Sequence, residues 1–125
     1  MLNTKTYLLI ALFWTAIVTF LSLATLGDVG ESITIPGKDK YVHFTFYFVF
    51  VLFWNIVLKA KYNTIFTRLL IVLFAIEYGV FMEICQGIFT KTRTPDIHDI
   101  YANTTGAVIG FIFITLYHIK KKATH

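Results

Sequence analysis

The chain has 125 residues, of which 57% are hydrophobic and 14% charged, with a formal net charge of +4 at pH 7 and a mean hydropathy of +0.70. So much apolar surface on so short a chain excludes a soluble domain and predicts an integral membrane protein. The basic excess, with a pI near 9.2, comes without any nucleic-acid motif, repeat or long basic run. Nucleic acid is therefore excluded as a partner, and membrane lipids are the expected surroundings.

Crossing a hydrocarbon core of about 30 Å takes about 20 apolar residues of helix. Four segments meet that length: Tyr7 to Leu26, Tyr41 to Leu58, Leu69 to Phe89 and Ile97 to Ile119. The first is uncharged and follows Lys5. Its Ser22-Leu23-Ala24 step has the small-x-small look of a signal-peptide cleavage site. The apolar run continues past a usual h-region and its basic flank is weak, so a retained span is expected. Each of the other three segments carries one polar stripe on apolar bulk, and such a stripe belongs inside a bundle. With short loops, this predicts an all-α membrane protein, one domain over residues 1–125 folded as an up-and-down bundle of four transmembrane helices.

On the second segment, Lys40, His43 and Tyr47 are three and four residues apart and share a face, with Asp39 beside them. On the third, Gly79, Glu83 and Gln86 repeat the spacing near the carboxyl end. On the fourth, Asp99, Asn103, Gly106 and Gly110 form the same stripe, preceded by Arg93 in the loop. In an up-and-down bundle all three stripes reach the same end, where they predict a shared polar pocket. Glu83, about a turn and a half inside the membrane, needs a cationic or hydrogen-bonding partner, whether in the pocket or as a structural ion pair closing the bundle; Arg93, Lys40 and His43 are expected in that order, because the guanidinium pairs bidentately and keeps its charge when buried.

Bland roles stand beside these. Lys40 can snorkel and His43 can bond a carbonyl. Asp99 and Asn103 can serve the free N–H groups at the start of their own helix. Asp39, Gly106 and Gly110 are read as structural, the two glycines forming a GxxxG packing step. Glu77 lies about 9 Å deeper than Glu83 by helical rise, and nothing else continues a proton or ion path from it. Cys85 is the only cysteine, so an intrachain disulfide and a Cys-ligated metal are excluded. The Trp and Phe residues are read as core and lipid-facing bulk, and Tyr41, Tyr62, Tyr101 and Tyr117 as an interfacial belt.

Lys5, Lys59, Lys61, Arg68, Lys120, Lys121 and Lys122 fall on one side of this layout, against Lys38, Lys40, Lys91 and Arg93, which are accompanied by acidic residues, on the other. Basic residues near helix ends are retained in the cytoplasm, so both termini are expected there and the polar pocket outside.

The run Asp39-Lys40-x-x-His43-Phe44-x-x-Tyr47, then Glu83-x-x-Gln86, Arg93, Asp99-x-x-x-Asn103-x-x-Gly106 and Gly110 resembles the VanZ-like family of small bacterial membrane proteins. The resemblance covers Asp39 to Gly110, with the first helix fitting by position. It implies a multi-pass protein of the bacterial cytoplasmic membrane acting at the cell envelope. The family is named for a protein associated with resistance to the lipoglycopeptide teicoplanin, without a generally established biochemical activity.

Two function classes follow. In the favoured one, the pocket binds a lipid-linked cell-wall component or a lipoglycopeptide, with Lys40, His43 and Arg93 meeting phosphate or carboxylate groups and Tyr47, Glu83, Gln86, Asp99 and Asn103 completing the site. In the other, a small intramembrane enzyme acts on a lipid-linked or phosphate-bearing substrate, with His43 or Glu83 as acid or base and Asp99 orienting the histidine. No serine elbow, phosphate-binding Gly-rich loop or zinc motif is present. His43, Glu83 and Asp99 are suitable metal ligands by type, but they lie on three separate segments, so no metal and no cofactor is assigned. The oligomeric state is not encoded in any pattern of the chain.

Overall fold

In a computed structural model that describes residues 3–24, 36–59 and 61–124, the described residues form four helices. They are α1 (Thr4–Leu23), α2 (Lys38–Lys59), α3 (Ile65–Phe89) and α4 (Ile97–Ala123). At 20, 22, 25 and 27 residues each is long enough to cross a hydrocarbon core of about 30 Å, and each is apolar enough to do so.

Polar side chains just ahead of the apolar runs explain where three helices start. Asn3 accepts the Thr6 amide at 2.9 Å, Thr64 that of Thr67 at 3.2 Å and Asp96 that of His98 at 2.8 Å; each satisfies an N–H with no partner inside its helix. The fourth entry is a turn at Pro36-Gly37, with Gly37 at φ +71, a conformation glycine adopts without a Cβ clash. Asn3, Gly37 and Thr64 lie outside the apolar stretches and put the starts of α1, α2 and α3 ahead of those expected. α2 begins at Lys38 rather than Tyr41, which puts Asp39 and Lys40 on a helical turn. Because α3 begins at Ile65, Arg68 is a helical residue and not part of a loop. Its guanidinium donates to Asn63 Oδ1 at 2.7 Å. The expected first boundary at Leu26, and the acidic Asp28 and Glu31 after it, lie outside the described residues.

α2 is the central element, packing on α1, α3 and α4, most extensively on α4. Gly106 sets that closeness: a Cβ there would run into the Phe44 backbone carbonyl, so only a bare Cα lets the two backbones approach as they do. One helical turn on, a Cβ at Gly110 would stand 3.1 Å from the Phe48 carbonyl oxygen. Val18, Tyr47, Phe50, Val51, Ile71, Val72, Ala75 and Ala107 form the core between the helices. α1 packs on α2 and α3 and, among the described residues, has no contact with α4. It is held by directed bonds: Trp14 Nε1 donates to the Phe46 carbonyl at 3.0 Å, Trp54 Nε1 to Thr15 Oγ1 at 3.3 Å, and Thr19 and Tyr78 share a hydroxyl–hydroxyl bond. Outward faces carry Leu9, Phe13, Phe20, Phe66, Phe74, Phe81 and Phe89, all exposed. A surface of this kind is stable in lipid and not in water.

Candidate functional site

The polar stripes meet at the end of the bundle formed by the start of α2, the end of α3 and the start of α4. Within this layer Glu83, Gln86 and Asn103 are no more than 2% exposed, and His43 and Asp99 are also buried. Tyr47 lies beneath them, buried as well.

Lys40 and His43, one turn apart on α2, organise two neighbouring groups. The Lys40 ammonium donates to Asp39 Oδ2 at 2.7 Å, Asp96 Oδ2 at 2.7 Å and Asp99 Oδ1 at 2.5 Å. An ammonium has three N–H donors, so all of them are taken. This contact holds Asp96 below the usual carboxylate range, helped by the hydrogen bond from the His98 amide. His43 lies deeper. Its Nδ1 is 3.0 Å from Asn103 Oδ1 and 3.8 Å from Glu83 Oε1, and its Nε2 is 3.6 Å from Asp99 Oδ2. Glu83 Oε2 accepts the Asp96 amide at 3.2 Å, tying the end of α3 to the cap of α4. Tyr47 Oη, Glu83 Oε1 and Asn103 Nδ2 are buried without a hydrogen-bond partner. Three such atoms in one small layer are unusual, because buried polar groups are nearly always satisfied.

Gln86 and Arg93 face the other way, toward α1. Gln86 Nε2 and Arg93 Nη1 both donate to the Ser22 carbonyl, at 2.9 and 3.2 Å, satisfying an acceptor in the last turn of α1 where no helical N–H follows. The loop between α3 and α4 is fixed by Thr90, whose hydroxyl donates to the Gln86 carbonyl at 2.7 Å and accepts the Arg93 amide at 3.2 Å.

Folding thus brings the polar residues expected in the pocket to one end of the bundle, but pairs them differently, while Gly110 packs lower down against Phe48 and Val51. Arg93 is not the partner of Glu83; it reaches Ser22, while His43 is the cationic-type group nearest Glu83. Lys40 is not a free anion binder, since three carboxylates occupy it. Asp99 and Asn103 do not cap α4. Asp96 does, which releases Asp99 to Lys40 and His43, and Asn103 to His43. Asp39 is more than a neighbour in sequence, because it joins the Lys40 cluster at the cavity wall. The separation of His43, Glu83 and Asp99 along the chain, taken as an objection to a metal, disappears on folding: one ligand atom from each lies within 4.8 Å of the others. Ser22 and Asp96 were not among the expected site residues. Asp96 could have been found from its place after Pro95 and just before an apolar run, a cap signal. The Ser22 carbonyl leaves no trace in side-chain pattern.

Glu77 does not join the layer. It sits at the middle of α3, exposed on the outer face.

Two cavities adjoin the layer. One of about 210 Å³ is polar and lined by Asp39, His43, Gln86, Arg93, Thr94, Asp96 and Asp99. The other, about 610 Å³, runs between α1 and α2 past Leu21, Val42 and Phe46, and is bordered by Ser22 and Lys38 and, like the first, by Asp39, His43 and Arg93. A polar chamber and a mostly apolar groove therefore share three walls.

Four membrane-length helices closed at one end by a buried carboxylate–imidazole–amide layer define a small multi-pass membrane protein with an internal polar site. The VanZ/LLP1 family model matches residues 6–118, and the chain belongs to that family. Among curated proteins and solved structures, none matches the chain.

Proposed function

We propose that the protein binds an amphiphile at the outer face of a bacterial cytoplasmic membrane, with the polar end of the ligand in the 210 Å³ chamber and its apolar chain in the adjoining groove. A lipid-linked cell-wall component and a lipoglycopeptide both have that shape, and the teicoplanin association behind the family's name fits it. The observation that carries the reading is the shared wall: Asp39, His43 and Arg93 border both spaces, so a molecule with a polar head and an apolar chain can occupy the two together. Arg93 is the guanidinium that borders both spaces, whereas Lys38 lines only the groove and Lys40 is saturated by its three carboxylates. The outer location rests on the distribution of Lys and Arg.

The test uses purified protein in nanodiscs and native mass spectrometry, with a long-chain polyprenyl phosphate against the matching polyprenol, and teicoplanin against its deacylated form. The expected result is retention of the polyprenyl phosphate or of teicoplanin over its truncated counterpart, reduced by Arg93→Gln. Equal retention of both members of each pair would remove the reading.

A second reading, an enzyme with His43 as general base, is favoured by a buried imidazole at the wall of the polar chamber with the Asp99 and Glu83 carboxylates beside it. Turnover of the polyprenyl phosphate headgroup by wild type, abolished in Asp99→Asn, would select it over binding alone.

A further inference from the structure

We infer that His43, Glu83 and Asp99 form a binding site for a divalent first-row transition-metal ion. The inference does not depend on what amphiphile the chamber holds, or on whether it holds one.

One ring nitrogen of His43 and one oxygen each of Glu83 and Asp99 lie within 4.8 Å of one another. Ligand atoms around a zinc ion, at about 2.0–2.2 Å from the metal, stand roughly 3.4 Å apart, so ångström-scale side-chain movement closes the set. The hydrogen bonds already present leave the needed atoms free. Lys40 takes Asp99 Oδ1 and the Asp96 amide takes Glu83 Oε2. Asp99 Oδ2 and Glu83 Oε1 remain, 3.6 Å from His43 Nε2 and 3.8 Å from His43 Nδ1 respectively. Glu83 is 1% exposed, and its Oε1 has no hydrogen-bond partner.

The tautomer sharpens the case. Asn103 Oδ1 can only accept, so His43 Nδ1 carries the hydrogen of their 3.0 Å bond. In the neutral ring, the Nε2 lone pair then faces Asp99 Oδ2, and two electron-rich atoms oppose each other at 3.6 Å. A proton on Nε2 would relieve Asp99. It would leave Glu83 Oε1 without a donor, because the Nδ1 hydrogen is directed to Asn103. A divalent cation compensates both carboxylates at once. The amide that fixes the ring is the outer-shell support that metal-ligating histidines commonly have. One imidazole with two carboxylates suits zinc, manganese or ferrous iron better than calcium or magnesium, which prefer oxygen alone. Three protein ligands leave a coordination position unfilled, and His43 and Asp99 both line the polar chamber into which it would open.

The experiment uses full-length protein with a tag that lacks histidine, in nanodiscs, stripped with a chelator, then titrated separately with ZnCl₂, MnCl₂ and MgCl₂. Metal retained after desalting is measured by inductively coupled plasma mass spectrometry. Cobalt(II) is added in parallel to read the visible absorption of a nitrogen- and oxygen-coordinated ion. The expected result is one equivalent of zinc or manganese per chain, little magnesium, and a saturable cobalt spectrum. Glu83→Gln and Asp99→Asn should each weaken zinc binding by tenfold or more, whereas Glu77→Gln should leave it unchanged. Should the site variants fail to fold, the wild-type titrations still decide. An absence of saturable zinc, manganese and cobalt binding to wild type overturns the site, as does stoichiometric binding that persists in folded Glu83→Gln and Asp99→Asn proteins.

Discussion

At the scale of single residues, the site is defined by which groups are already occupied. Lys40 has the charge of an anion binder and none of the freedom, since Asp39, Asp96 and Asp99 hold all of its donors. Lys40→Met should therefore lower the unfolding midpoint in detergent, by stranding carboxylates that it compensates. It should also change the acid limb of the stability curve. Asp96 is held below its ordinary value in the folded protein. Its contribution is thus fully present above the unfolded-state value of about 3.9 and is lost as pH falls through the lower folded value. Removing Lys40 should flatten that part of the curve, as followed by thermal unfolding between about pH 2 and 6. Glu83→Gln isolates charge from shape. The amide preserves volume and gives a donor where the carboxylate has an unpartnered oxygen, so the protein should stay folded while headgroup retention falls. Retention at the wild-type level would show that the Glu83 charge is not needed for binding.

At the scale of elements, the GxxxG step on α4 is a contact with backbone. Gly106 faces the Phe44 carbonyl so closely that even one methyl group forces α2 and α4 apart. Gly106→Ala should cost about 1–3 kcal/mol, the usual range for overpacking, and Gly106→Leu should remove most folded protein from the membrane. Gly110→Ala, with its nearest neighbour at 3.1 Å, should be milder. Equilibrium unfolding in mixed micelles and membrane abundance measure the series; equal losses at the two glycines would contradict the close approach at Gly106. On α3, Glu77 offers the opposite case, an acidic side chain on the outer face at mid-helix. Acidic residues at the centre of a span cost about 2.5–3.5 kcal/mol on insertion scales. Glu77→Leu should raise membrane insertion of α3 by a comparable amount, as read by a glycosylation-based insertion assay.

These elements also show what was legible in the sequence. Length and apolarity locate all four helices, because a span must be about 20 residues long in any membrane protein. Helical spacing alone places Lys40 with His43, Glu83 with Gln86 and Asp99 with Asn103, and an up-and-down order brings the three pairs to one end. Pairing within the layer was not legible. Arg93 lies in a loop, whose path has no period to read, and its target is a carbonyl of α1 that no side-chain pattern marks. Once Arg93 is bound there, Glu83 is left to His43. The starts of α1, α2 and α3 were misplaced by three, three and four residues because Asn3, Gly37 and Thr64, which set them, are not apolar.

At the scale of the whole molecule, the proposal places the layer outside the cell. In a Cys85→Ala background, a cysteine at Lys91 should react with an impermeant maleimide on intact cells, and one at Lys61 only after permeabilisation. The opposite pattern would move the chamber to the cytoplasmic side. Function should separate from folding in the same way. His43→Ala, Arg93→Ala and Asp99→Asn should abolish an envelope phenotype, such as raised teicoplanin tolerance in a susceptible host, at membrane abundance near that of wild type. An intact phenotype in all three would make the layer purely structural.

The groove between α1 and α2 has a kinetic meaning. Among the described residues α1 has no contact with α4, and the groove proposed for the apolar chain runs along its flank with α2. A ligand already anchored in the leaflet would arrive by two-dimensional diffusion, keeping its head near interfacial depth throughout. Occupancy would then follow mole fraction in the bilayer, and diluting the suspension at constant lipid composition would leave it unchanged. Added salt, which screens long-range attraction across water, would have little influence on the rate of encounter.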